Sequence, residues 1–162
     1  MQTQRGASLA TRTRLALVSA VIVGSDQLTK YAIVRTIPEG SSRRVVDDHL
    51  WLSHFRNTGA AFGTLRGFSG VLALAALVGV IAFLAVVVRE PGRMGGIGAA
   101  LVAGGALGNL IDRLARGSVV DFVDFRFWPA FNVADSAITI GAILLVWSSL
   151  GDRKKHDDAP GS

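Results

Sequence analysis

Two aspartates, Asp121 and Asp135, stand 14 residues apart beside the start of the last long apolar segment. A carboxylate near hydrocarbon is costly and marks a functional site by default. No metal-ligand spacing surrounds this pair, so the chemistry it suggests is proton sharing. One acid would be ionised, the other protonated, and a water would be activated between them. We therefore expect neither a metal nor a cofactor.

The segment that carries Asp121, residues 119–125, is predicted to be extended. In a strand, Asp121 and Asp124 point to opposite faces, because side chains alternate along the chain. Asp121 would then stand among apolar groups, whose desolvation raises a carboxyl pKa, and Asp124 would be a solvated rim residue. In a helix the two carboxylates would lie together, so this interpretation depends on the strand.

Asp135 lies near the start of the last apolar segment, where a helix N-terminus favours the ionised form of an acid. Asn132, three residues earlier, is a plausible N-cap. Taken alone, Asp135 is equally well explained as a helix-start residue. Taken with Asp121, the two environments favour opposite protonation states, which is how acid and base roles are divided. Which aspartate carries the proton at rest stays open.

The composition indicates a membrane protein. Half of the 162 residues are hydrophobic and the mean hydropathy is +0.43, too apolar for an ordinary soluble domain. A bilayer core needs about 20 mostly apolar residues per helix. We predict an all-α membrane protein of four transmembrane helices, with a small extracytoplasmic β-rich element between the first two. The spans are 15–37, 68–88, 95–111 and 134–150.

The chain is predicted to form one membrane domain, residues 1–151, followed by a disordered charged tail, residues 152–162. The first span resembles a signal peptide, but polar Ser25-Asp26-Gln27 leads into more apolar sequence, so an uncleaved helix is favoured. Four spans put both termini on one side. Basic residues are about equally numerous on the two sides; their density near 89–93 and 153–155 favours the cytoplasm for the termini.

The spans contain further polar and small residues. Asp26 and Lys30 are spaced i, i+4 and are predicted to form a structural ion pair. Gly104 and Gly108 form a Gly-x-x-x-Gly face, which lets membrane helices approach closely. Asn57 opens a small-residue turn before the second span and could hydrogen-bond backbone or a substrate peptide.

A polar stripe extends one face of the third span. Its members lie at i, i+3, i+4 and i+7: Asn109, Asp112, Arg113 and Arg116. Such a stripe must face protein or a water-filled cleft. Asp112 is predicted to form an ion pair with the neighbouring Arg113 that holds the site's shape; proton transfer by Asp112 is the less favoured alternative.

The sequence excludes or disfavours several other classes of protein function. The chain has no cysteine, which excludes disulfides and thiol catalysis, and its three histidines lack metal-like spacing. A net charge of +5 is better explained by anionic phospholipid than by nucleic acid, because the basic residues lie at helix ends and tails. Ser136 has no neighbouring base for a serine mechanism.

These motifs together resemble lipoprotein signal peptidase, or signal peptidase II, the bacterial aspartic peptidase of the inner membrane. Five blocks occur in the family's order between residues 26 and 146. They are Asp26-Gln27-x-x-Lys30, Asn57-x-Gly59-Ala60-Ala61-Phe62-Gly63, Gly104-Gly105-Ala106-x-Gly108-Asn109-x-x-Asp112-Arg113, Val119-Val120-Asp121-Phe122 and Phe131-Asn132-x-Ala134-Asp135.

The resemblance implies an enzyme that removes signal peptides from diacylglyceryl-modified prolipoproteins, cutting before the lipidated cysteine, and that is a target of globomycin. It implies a catalytic pair at Asp121 and Asp135 and an active site near the extracytoplasmic face. We expect a monomer, because nothing in the sequence demands more. The positions that match the family's substrate and inhibitor cleft are Asn57, Asn109, Arg113 and Asn132. Asp112 matches an important position outside the pair.

Two readings from other classes remain. Intramembrane acids, amides and basic residues also occur in proton-coupled transporters and small channels, although four spans are few and no inverted repeat is visible. A noncatalytic scaffold packed through Gly104 and Gly108 is the third reading, and it predicts that both aspartates tolerate asparagine.

Overall fold

The computed structural model describes residues 9–58 and 93–157, which form three long helices and one small sheet. In chain order the elements are α1 (Leu9–Thr36), β1 (Ser42–Val46), β2 (Leu50–Asn57), α2 (Arg93–Arg116), β3 (Val119–Asp124) and α3 (Val133–Asp157). The predicted second span, 68–88, lies outside the described residues.

All three described helices are long and apolar enough to cross a membrane. They correspond to the predicted first, third and fourth spans, although α1 ends at Thr36, one residue before the predicted end of the first span. Helix α1 is mostly exposed along its apolar length, whereas the span Met94–Arg116 of α2 is mainly buried within the protein. Helix α2 is therefore the central helix of this part of the chain, and it packs on both α1 and α3.

Small residues permit this close packing of α2. A Cβ added at Gly104 would lie 2.9 Å from the Ser19 carbonyl oxygen of α1, and one at Gly98 would lie 2.8 Å from the Gly141 carbonyl oxygen of α3. A Cβ at Gly108 would lie 2.7 Å from Oδ2 of Asp26. The predicted close approach at Gly104 and Gly108 is confirmed in this respect.

The strands form one antiparallel sheet of order β1-β2-β3. Strands β1 and β2 correspond to the β-rich element predicted after the first span, and β3 corresponds to the predicted extended segment 119–125. The sheet packs against the end of α1 through a small apolar cluster of Ile33, Ile37, Val120 and Phe122. This packing holds β3, the strand that carries Asp121, beside the C-terminal end of α1.

The last helix is longer than the sequence suggested. It continues to Asp157, so residues 152–157 are helical where a disordered tail was predicted to begin. Residues 158–162 of that predicted tail lie outside the described residues.

Candidate active site

Strand β3 positions Asp121, as the alternation pattern predicted. Its side chain is 4% exposed, and both carboxylate oxygens accept hydrogen bonds. Asn132 Nδ2 donates to Oδ1 at 2.7 Å, and Asn57 Nδ2, from the end of β2, donates to Oδ2 at 2.9 Å. Burial raises the pKa of Asp121 to about 6; the two amide donors act against this rise, and the charge of Asp135 adds to it.

Asp135 is the third residue of α3, and Asn132 caps that helix. Asn132 Oδ1 accepts a hydrogen bond from the Asp135 amide at 3.0 Å, and Asp135 Oδ2 accepts one from the Asn132 amide at 3.3 Å. This reciprocal pair is a capping box, which satisfies two backbone donors at the helix start. The remaining oxygen, Oδ1, accepts from Asn109 Nδ2 of α2 at 2.8 Å. The predicted N-cap is confirmed.

Asn132 therefore joins the two aspartates. Its side-chain amide donates to Asp121, and its backbone amide donates to Asp135. The side chain is fully buried and lies behind the carboxylates. The sequence predicted Asn132 as a helix cap and as a cleft position. It could not predict that Asn132 links the two aspartates, because this link forms only when β3 lies against the start of α3.

Both carboxylates open onto one cleft of about 520 Å³. Its polar lining comes from Asn57, Asn109, Arg113, Asp121, Asp135, Ser136 and Thr139. Its apolar lining comes from β3, from the segment between β3 and α3, and from α3, at Val119, Trp128, Pro129, Ala130, Phe131, Ile138 and Ile140. A polar floor beside an apolar wall suits a ligand that combines a peptide bond with apolar groups.

A charged cluster lies behind the cleft floor. Lys30 is fully buried, and its ammonium is 2.8 Å from Asp26 Oδ2 and 2.9 Å from Asp112 Oδ2. It also donates to Asn109 Oδ1 at 3.0 Å, which fixes this amide with its NH₂ group directed at Asp135. The predicted Asp26–Lys30 ion pair is confirmed, and it extends to α2.

The two acids of this cluster also hold the backbone beside each cleft aspartate. Asp26 Oδ1 accepts from the amide of Ala134 at 3.0 Å, next to Asp135. Asp112 Oδ2 accepts from the amide of Val120 at 3.1 Å, next to Asp121. The cluster thus ties both aspartate-bearing segments to α1 and α2.

Two predictions are wrong: the ion pair between Asp112 and Arg113, and the solvent exposure of Asp124. Asp112 pairs with Lys30 and Arg116, and not with Arg113, because the i, i+4 neighbour reaches it along the helix whereas the adjacent residue points elsewhere. Arg113 lines the cleft, and its Nη1 donates to the Asn109 carbonyl at 3.4 Å. Asp124 is 5% exposed and not a solvated rim residue, since both faces of β3 are covered.

The fold and the site define a class of protein: a helical membrane protein with paired, buried aspartates in the polar floor of a cleft. Comparison with known proteins identifies the family. Residues 18–151 match the family model described as signal peptidase (SPase) II. The chain belongs to the signal peptidase II family, and it is a bacterial membrane enzyme, an aspartic endopeptidase.

Individual relatives agree with this assignment. The lipoprotein signal peptidase of Pelotomaculum thermopropionicum is 43% identical over 145 residues, covering 87% of this chain and 94% of that protein. That of Shouchella clausii is 43% identical over 137 residues, covering 83% and 91%. A solved structure described as a bacterial membrane enzyme at 2.3 Å resolution superposes with a TM-score of 0.86 and 31% identity, covering 99% of this chain and 100% of that one.

Proposed function

We propose that this protein removes signal peptides from diacylglyceryl-modified prolipoproteins by cleaving before the lipidated cysteine, with Asp121 and Asp135 as its catalytic dyad. The observation that carries the proposal is that both carboxylates line one cleft and are joined through a single residue, Asn132. Aspartates that are close enough to interact share a proton, because both cannot easily be ionised together.

The reaction begins with a water held between the two carboxyl groups. The ionised aspartate takes a proton from this water, and the resulting hydroxyl attacks the scissile carbonyl carbon. The protonated aspartate donates a hydrogen bond to the carbonyl oxygen, and a proton then passes to the leaving amine. The dyad titrates as one coupled system, so the resting proton belongs to the pair.

The contacts of the carboxylates support this chemistry. Each of the four oxygens accepts a hydrogen bond from an amide of Asn57, Asn109 or Asn132. Carboxylate oxygens have two lone pairs, so each retains capacity for a water or a proton. Amides hold the geometry without supplying charge, which leaves the acid–base chemistry to the two aspartates.

The cleft also suits the proposed substrate. Arg113 carries the positive charge of the polar floor and can bind a peptide carbonyl, together with Asn57 and Asn109. The diacylglyceryl chains would lie in lipid against the apolar wall. We place both termini in the cytoplasm and the cleft near the extracytoplasmic face, with the enzyme acting as a monomer in contact with phospholipid.

The test is a gel-shift cleavage assay in detergent with purified protein and a diacylglyceryl-modified prolipoprotein. Asp121→Asn and Asp135→Asn are each expected to abolish cleavage while the protein stays folded. Asp48→Asn is the matched control, because the side chain of Asp48 is 86% exposed and Asp48 is not part of the cleft lining.

Cleavage that survives either dyad substitution would refute the catalytic assignment. Loss of cleavage with Asp112→Asn alone would move the chemistry to α2. No cleavage by folded wild-type protein, together with proton flux in proteoliposomes, would favour the transporter reading.

A further inference from the structure

Asp124 is a buried acid that the proposed reaction does not use. It lies three residues after Asp121 on β3, so the two side chains point to opposite faces of the strand. It is 5% exposed and is absent from the lining of the cleft. A buried carboxylate is costly unless its oxygens are hydrogen-bonded, which directs attention to its partners.

Those partners cross the whole sheet. Ser53 of β2 donates to Asp124 Oδ2 at 2.8 Å, and the hydroxyls of Ser53 and Ser42 of β1 are 2.8 Å apart. Ser53 is fully buried. A chain of three hydrogen-bonded side chains therefore joins the two outer strands through the central one.

The other oxygen of Asp124 holds the start of the segment between β3 and α3. Oδ1 accepts from the amide of Arg126 at 2.8 Å, a turn in which an aspartate bonds the backbone two residues on. Arg126 has a φ of 66°, a left-handed conformation that a non-glycine residue adopts at some cost. Its guanidinium lies 4.2 Å from the ring centroid of Trp51, and its Nε lies 3.6 Å from Asp124 Oδ2, so a cation–π contact and an ion pair also hold the turn.

The far end of this segment is also fixed. Val123 and Phe131 exchange two backbone hydrogen bonds, at 2.8 and 3.1 Å, so residues 124–130 form a closed loop. Phe125 packs near Phe131, with ring centroids 6.0 Å apart. Four consecutive residues of this segment, Trp128 to Phe131, line the cleft and form part of its apolar wall.

We infer that Asp124 is a positioning residue that fixes residues 125–131, of which Trp128 to Phe131 form part of the apolar wall of the cleft, against which the lipid-bearing part of the substrate binds. This role rests on the proposed function for its substrate, and on the geometry alone for the loop. Asp124 acts on substrate binding and not on the bond-breaking step, because the dyad carboxylates are held by Asn57, Asn109 and Asn132 and not by Asp124.

Two neutral substitutions separate anchoring from charge. Asp124→Ala removes both acceptors. Asp124→Asn keeps the oxygen that accepts from Arg126, and its NH₂ can donate to Ser53, whose hydroxyl then donates to Ser42. The hydroxyl pair permits this reversal, since either oxygen can be the donor. Asparagine loses only the ion pair with Arg126, whose side chain is 47% exposed, so this pair contributes little to stability. Alanine should therefore release the loop, and asparagine should restore it.

The first measurement does not depend on activity. The chain has no cysteine, so Phe127→Cys, at a position 82% exposed on this loop, gives a unique site for a nitroxide spin label. We expect faster label motion in the Asp124→Ala background than in the wild-type or Asp124→Asn backgrounds. Equal label motion in all three would overturn the inference whatever the enzyme cleaves.

The second measurement is the kinetics of prolipoprotein cleavage by the proteins without the label. Asp124→Ala should raise KM roughly 3- to 10-fold, the effect of losing about one hydrogen bond of ordering, with kcat within about twofold of wild type. Asp124→Asn should restore KM. If Asp124→Ala fails to fold, Ser53→Ala, which removes one bond of the chain, should give a smaller rise in KM. A fall in kcat at unchanged KM would overturn the inference, whereas absence of cleavage by wild type would refute the proposed function alone.

Discussion

Lys30→Met tests whether the buried charged cluster stabilises the protein. Lysine and methionine have similar lengths, so the change removes the ammonium with little change in volume. In the native cluster the charges of Asp26 and Asp112 are balanced by those of Lys30 and Arg116. Without Lys30 the cluster carries one uncompensated negative charge in a place where the side chains of Lys30, Asp26 and Asp112 are 0% exposed.

The expected loss in the free energy of unfolding follows from this burial. Removing one partner of a buried ion pair costs about 3–5 kcal/mol, because the remaining charge stays desolvated. Lys30 is the partner of two carboxylates at 2.8 and 2.9 Å, so we expect the upper part of that range. For a chain of this length the loss corresponds to roughly 6–20 °C in the unfolding temperature.

The assay is thermal unfolding in detergent micelles, followed by tryptophan fluorescence, for three proteins: wild type, Lys30→Met and Lys30→Met/Asp26→Asn. The double variant restores neutrality, and the asparagine can still accept from the Ala134 amide. It should recover a substantial part of the lost unfolding temperature. An unfolding temperature of Lys30→Met equal to that of wild type would refute the reasoning, as would a double variant no more stable than the single one.

Three further predictions follow from the site and the packing. The pKa of Asp121 is raised from 3.8 to about 6, so the folded state binds the extra proton and stability falls as pH rises through that window, by up to about 3 kcal/mol. Unfolding temperature measured against pH should show this slope in wild type and a smaller slope in Asp121→Asn, because the two aspartates titrate as one coupled system. Asn132→Ala should lose about 1 kcal/mol of helix capping and most cleavage activity, whereas Asn132→Ser should regain the cap but not the activity, since serine is too short to reach Asp121; unfolding curves that fail to separate the two variants would contradict this. Gly104→Leu should lower stability by about 1–3 kcal/mol through overpacking against α1, while Gly24→Ala should not, because within the described residues no atom lies within 4 Å of the added Cβ.

The parts of the fold that sequence predicted are those set by local pattern. Long apolar runs predicted the three described helices, and the β-rich element predicted after the first span corresponds to β1 and β2. The i, i+4 spacing gave the Asp26–Lys30 ion pair, and the position of Asn132 before an apolar run gave the N-cap. Each of these depends on residues within a few positions of one another.

Asp124 shows where local pattern stops. Alternation along β3 correctly separates Asp121 from Asp124, but it assigns one face to the interior and the other to solvent. That assumption holds for a sheet with one wet face. Here Ser53 of β2 and the turn at Arg126 cover the second face, so a residue of the expected polar face is buried. The covering groups lie elsewhere in the chain, so the strand's own sequence does not reveal them.

The geometry of the aspartate pair depends still more on contacts distant in sequence. Asp26 holds the Ala134 amide across 108 residues, and Lys30 joins Asp112 of a different helix. The 14-residue separation of Asp121 and Asp135 is compatible with many distances between their carboxylates, and a strand followed by a helix does not fix one. The buried cluster restricts that freedom, because it holds the backbone next to each aspartate. A substitution in α1 can therefore disturb a site built from β3 and α3 without contacting either cleft aspartate.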